Sequence, residues 1–70
     1  MGLLHKRSLN LAGHATSLAL EPEFWSVLDA RALRDGVSLA ALVRRIDAGR
    51  ADRPLASACR VAALEFARCG

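Results

Sequence analysis

Apolar and polar residues alternate over residues 7–20. Leu9 and Leu11 flank Asn10, and Leu18 and Leu20 flank Ala19. A period of two predicts extended chain with one buried face. Thr16 to Leu20 is the better strand, because it leads straight into a helix start. Ala12-Gly13-His14 separates the two runs, and two readings stand. Either these residues are a tight turn that closes a hairpin, or they mark a break between a loose arm and a single strand.

The period then changes. Glu21-Pro22-Glu23 places proline in a first helical turn, where its missing N–H is not needed, and carboxylates at the positive end of the helix dipole. Phe24, Trp25, Leu28 and Ala32 follow at helical spacing, and Val27 and Leu33 widen the stripe. Asp35-Gly36 ends this helix, with Gly36 as a left-handed cap. Ser38 is the N-cap of a second helix. Its apolar face is Leu39, Leu42, Val43 and Ile46, and Gly49 stops it. A polar link, Ala51-Asp52-Arg53, precedes Pro54, which opens a third helix running to about Arg68. The apolar positions there are Leu55, Ala58, Cys59, Val61, Ala62, Leu64 and Phe66, a face broad enough to pack on two sides. The expected organisation is a basic arm or first strand (1–13), a core (14–48), and a linker with a C-terminal helix (49–70). The fold class is mostly α with a short β-ribbon.

Composition agrees and adds a size limit. Fourteen alanines, twelve leucines and nine arginines favour helix. An apolar fraction of 53% is too high for disorder. Seventy residues make one small domain, whose core alone is marginal. A multidomain enzyme is excluded, and the charge-free stretches are too short for a membrane span. Met1-Gly2-Leu3-Leu4 is not a signal peptide, since His5, Lys6 and Arg7 interrupt it, so a cytoplasmic location is expected.

Charge is uneven. Residues 1–20 carry Lys6 and Arg7 and no acid; residues 21–36 carry four acids and two arginines; residues 37–70 carry six arginines and three acids. The ends are basic and the middle is acidic.

Little in the chain suggests catalysis. No Ser–His–acid order, no paired buried carboxylates and no Gly-rich phosphate loop can be assembled, and Ser38 and Ser57 are explained by capping and small-residue packing. The spacing of His5, His14, Cys59 and Cys69 fits no metal-ligand pattern. Ten helical residues separate the two cysteines by about 15 Å, too far for a bridge. No enzyme, cofactor or metal is expected. Phe24 and Trp25 are read as core rather than as a ligand pocket. Arg44 and Arg45 are open between DNA backbone contacts and simple solvation. Arg50, Arg53, Arg60 and Arg68 are assigned to a solvated face or to pairs with Asp47, Asp52 and Glu65.

The order of pieces resembles the ribbon–helix–helix superfamily: Thr16-Ser17-Leu18-Ala19-Leu20, Glu21-Pro22-Glu23-Phe24-Trp25, Leu28, Asp35-Gly36-Val37-Ser38, and Leu39 through Ile46. It is closer still to a subgroup of short bacterial proteins. Its marks here are Lys6-Arg7, Ala12-Gly13-His14, the Leu20-to-Trp25 step and an added helix over Leu55 to Phe66. The resemblance implies an intertwined homodimer in which each chain lends one strand to an antiparallel ribbon. Leu18, Leu20, Phe24, Trp25, Leu28, Leu42, Val43 and Ile46 would then form the dimer core. A lone strand does need a partner for its N–H and C=O groups.

The resemblance further implies a ribbon in the DNA major groove, the docking mode of the Arc and MetJ repressors. Carried over, the outward readers are Ala15, Ser17 and Ala19, and Ser38 and Leu39 hold a phosphate at a helix N-terminus. His14 stands at the start of this ribbon strand. Two of the three readers are alanine, and base readout relies on Arg, Lys, Asn or Gln. Lys6, Arg7, Ser8 and Asn10 are the other candidate readers, and a hairpin would bring Ser8 and Asn10 to the outward face. The leading expectation is a DNA-binding transcriptional regulator, a repressor or antitoxin-like protein. The alternative is a dimeric interaction module that keeps the fold without specific DNA binding. In both, the third helix caps the dimer or docks a protein partner.

Overall fold

The computed structural model describes residues 3–69. Two strands, β1 (His5–Leu11) and β2 (His14–Leu20), precede three helices, α1 (Pro22–Asp35), α2 (Leu39–Ala48) and α3 (Leu55–Cys69). The strands pair antiparallel with Leu11 opposite His14, Ser8 opposite Ser17 and His5 opposite Leu20. Only Ala12 and Gly13 join them, both at positive φ, 53° and 87°. That is the type I′ geometry whose twist matches a hairpin. The Asn10 side-chain oxygen accepts from the Gly13 N–H at 3.0 Å and braces the turn.

The ribbon therefore differs from the one the resemblance implied. Both strands come from the same chain, and β1 supplies the partner that β2 needs. Of the two readings of residues 12–14, the structure takes the tight turn.

Each helix boundary has a local cause. The Glu21 carbonyl accepts from the N–H groups of Phe24 and Trp25 at 3.0 and 3.2 Å, opening α1 beside Pro22. Gly36 closes it at φ 68°. There the Val37 N–H reaches the Ala32 carbonyl and the Gly36 N–H reaches that of Leu33, the paired bonds of a Schellman cap. Ser38 caps α2, accepting from the Ala41 N–H at 3.0 Å.

The core lies between one face of the hairpin and the three helices. It contains Leu11, Leu18 and Leu20 from the ribbon and Trp25, Leu28 and Ala32 from α1. Leu42 and Val43 come from α2, and Cys59 and Ala63 from α3. Of the residues expected to form a dimer core, Leu18, Leu20, Trp25, Leu28, Leu42 and Val43 are buried within the single chain. Phe24 and Ile46 are half-buried. Within one chain, two further elements close on this core. β1 covers one side, and α3 docks its small residues Ala58, Cys59 and Ala63 on the other. Short side chains let that helix approach closely.

All three aromatic residues carry an arginine. Arg7 lies over Trp25 at 4.6 Å, Arg31 over Phe66 at 4.5 Å, and Arg60 over Phe24 at 5.8 Å. Two of these arginines also bind a distant carboxylate. Arg7 grips Asp29 with both terminal nitrogens at 2.9 and 3.1 Å, and Arg60 bonds Glu21 at 2.9 Å. The Trp25 indole N–H donates to the His5 carbonyl at 2.7 Å. These contacts tie the hairpin to α1, and α3 to the start of α1.

Candidate nucleic-acid interface

In an antiparallel pair, residues directly opposite each other share a face. The register therefore divides the hairpin in two. Arg7, Leu9 and Leu11 share the core side with Leu18, Thr16 and His14. Lys6, Ser8 and Asn10 share the outer side with Ala19, Ser17 and Ala15. Lys6, Ser8, Asn10, Ala15 and Ser17 are exposed and Ala19 is half-buried. Six positions, three from each strand, thus form one small, mostly polar surface.

The expected readers separate accordingly. Ala15, Ser17 and Ala19 are outward, and Lys6 and Asn10 join them from β1. Arg7 does not. It sits on the other face, held by Asp29 and stacked on Trp25. His14 is also off the outer face, at the turn end of the core side, where it is exposed. Leu39 packs half-buried against the core, so its side chain offers nothing to a ligand. It can present only its backbone N–H, one of those at the start of α2 without an intrahelical acceptor. Ser38 already uses its hydroxyl on Ala41. Asn10 spends its side-chain oxygen on the turn and keeps its amide N–H groups for the outer side.

Ser8 is the outer-face position that single-strand reasoning undervalues. It stands opposite Ser17, so two hydroxyls meet at the centre of the surface. The signal for it was the period-two parity across a two-residue turn, legible once the hairpin reading is adopted. Lys6 is the formal charge on this surface, and it makes no ion pair among the described residues.

Elsewhere among the described residues, two groups have shifted titration. The Arg60 guanidinium, hydrogen-bonded to Glu21, holds that carboxyl below its ordinary value. Burial pushes the Cys59 thiol up to about 11, with a smaller contribution from Asp47. Cys59 is therefore a packing residue, not a nucleophile. Among the described residues no group of three or more His, Cys, Asp or Glu is placed to hold a metal ion. No helix among them is long and apolar enough to cross a membrane.

Comparison with known proteins gives the arrangement a family. No curated protein matches the chain. Among solved structures it is similar to an uncharacterized protein from Bordetella pertussis Tohama I, with 35% identity and a TM-score of 0.74. The match covers 91% of this chain and 55% of that one, so the chain spans about half the length of its structural relative. The family described as "Ribbon-helix-helix domain" matches over residues 4–67. That range takes in the hairpin, all of α1 and α2, and α3 to within two residues of its end. The chain belongs to the ribbon-helix-helix domain family.

Proposed function

We propose that this chain is a DNA-binding transcriptional regulator that lays the outer face of its hairpin in the major groove. The observation that carries the reading is the register. It gathers Lys6, Ser8 and Asn10 beside Ala15, Ser17 and Ala19 on one face of a two-stranded ribbon, while the other face is packed on the core. A two-stranded ribbon is a size the major groove admits. Ser8, Ser17 and the Asn10 amide supply hydrogen-bonding groups, and Ala15 and Ala19 supply methyl contacts of the kind thymine offers. Lys6 neutralises phosphate, and the free N–H groups at Leu39 and Ala40 suit another. No catalytic step belongs to this reading.

The proposal includes a homodimer, with each protomer bringing its own complete hairpin. A two-residue turn makes Leu11 and His14 a hydrogen-bonded pair. By alternation, the backbone groups of Lys6, Ser8 and Asn10, and of Ala15, Ser17 and Ala19, point away from the hairpin. No third strand among the described residues takes them up. Such open edges favour pairing with another copy.

The test is an anisotropy titration against duplex DNA from the protein's own promoter region. Binding should weaken steeply with salt as phosphate contacts release counterions. Lys6→Ala should weaken all sequences alike and lower the salt slope by about 1. Ser8→Ala and Ser17→Ala should relax specificity without unfolding the chain. Affinity that stays weak and indifferent to sequence at low salt would overturn the proposal. The reading would then pass to an interaction module, which the neutralisation of Arg7 by Asp29 favours.

A further inference from the structure

A second surface stands apart from the ribbon. Between the C-terminal half of α2 and the first half of α3 runs a groove of about 250 Å³. Its floor includes Ile46, Val61 and Ala62, and its rim carries Arg45, Arg50 and Arg53. Val61 is 39% exposed, so an apolar side chain faces solvent where α3 could have presented a polar one.

Part of the charge here is spent internally, Arg60 on Glu21 and Arg50 on Asp47. Residues 44–60 hold five arginines against two aspartates, an excess equal to the formal charge of +3 on the whole chain. Arg50 is committed to Asp47 and to the Arg53 carbonyl. Arg45 and Arg53 are held loosely. Arg45 is 3.7 Å from Asp35 with its side chain 57% exposed, and Arg53 reaches only the Ser57 hydroxyl at 3.4 Å. Two loosely held guanidinium groups therefore flank an apolar strip whose neighbouring acid, Asp47, is already matched.

We infer that this groove docks an acidic amphipathic helix of a partner protein. Charge complementarity selects the partner: carboxylates on its flanks would meet Arg45 and Arg53, while an apolar stripe would seat on Ile46 and Val61. A groove between two helices suits a third helix presenting anchors on one face. DNA phosphate would also be drawn to the arginines, but it gains nothing from an exposed valine beside a half-buried isoleucine. The apolar floor decides for the peptide. This surface is independent of the ribbon, so the inference does not rest on DNA binding.

The probe is a synthetic helical peptide with leucines on one face and glutamates on its flanks. A control carries lysine in place of every glutamate. Amide shifts of the whole chain are followed as peptide is added. The acidic peptide should move Ile46, Gly49, Val61 and Ala62 and leave the ribbon still, and the lysine control should bind at least about tenfold more weakly. Val61→Ser and Arg53→Glu should each weaken binding by roughly fivefold or more, with circular dichroism confirming that both remain folded. Three results would each overturn the inference. One is no localised shift on the unmodified chain at millimolar peptide. Another is equal binding of the lysine control. The last is duplex DNA moving these same amides while Val61→Ser leaves peptide binding unchanged, which would make the arginines a phosphate surface.

Discussion

The hairpin turn gives two substitutions of opposite sign from adjacent residues. Ala12 sits at φ 53° and Gly13 at φ 87°. For an L-residue the left-handed region costs roughly 1–2 kcal/mol. Alanine has no side-chain hydrogen bond to offset that, whereas asparagine is accommodated there. Ala12→Asn should therefore stabilise the chain by about 1 kcal/mol, which raises Tm by about 4–8 °C in a domain this small. Gly13→Ala should do the reverse. A Cβ at Gly13 meets nothing within 4 Å, so the effect is purely one of backbone conformation. The left-handed penalty of roughly 1–2 kcal/mol is partly offset by about 0.4–1 kcal/mol from the stiffer unfolded chain, leaving a loss of about 1 kcal/mol. Thermal unfolding followed by far-UV circular dichroism reads both. The reasoning fails if the three proteins melt together, or if Ala12→Asn melts lower. Either result would mean that residues 12 and 13 do not form this turn, and the in-chain ribbon would fall with it.

Three other predictions test the tertiary contacts. Trp25→Phe removes the indole bond to the His5 carbonyl and weakens the Arg7 stack. It should destabilise by about 2 kcal/mol in urea titrations, and a loss below about 0.5 kcal/mol would show that the bond contributes little. In the native protein a thiol reagent at mildly alkaline pH should modify exposed Cys69 and spare buried Cys59, with Cys59 reacting only after denaturation. Because the native Cys59 thiol holds its proton up to about 11 against an ordinary 9.0, its contribution to stability is complete below 9.0 and is lost as pH rises through about 11. Cys59→Ala should flatten that part of the stability–pH curve, and an unchanged slope would refute the assignment. Arg60→Ala should return the Glu21 titration towards 4.5 from below. The stabilising contribution of the pair is present above 4.5 and fades as pH falls through the lowered value. A carboxyl midpoint that does not move, read by carbon NMR, would mean that the pair does not form in solution.

Much of the architecture was legible because it is local. Pro22, Gly36 and Ser38 act through the dihedrals and N–H groups of their immediate neighbours. The boundaries of α1 and α2 fall where those residues place them. The parity of Leu9, Leu11, Leu18 and Leu20 fixed which side of each strand is inner before any partner was known. The third helix was equally visible in its broad apolar face. Of the two readings open for Arg50, a solvated face or a pair with a nearby acid, the structure takes the pair, with Asp47 three positions away.

The tertiary structure decided what pairs across distance. Whether β2 meets β1 or a second chain depends on which closure wins. A two-residue turn closes the in-chain pair at little entropic cost, even with an alanine at positive φ. Arg7 reads as a phosphate contact beside Lys6, yet adjacent strand residues point to opposite faces, and docking α1 under the hairpin brings Asp29 to it. Arg60 finds Glu21, 39 positions away, only because α3 folds back along the start of α1. The residues themselves determined the elements, their ends and their inner faces, through interactions within a few positions. Which charges remain free for a partner was decided by packing, because every long-range ion pair removes one and sequence alone does not bring its partners together.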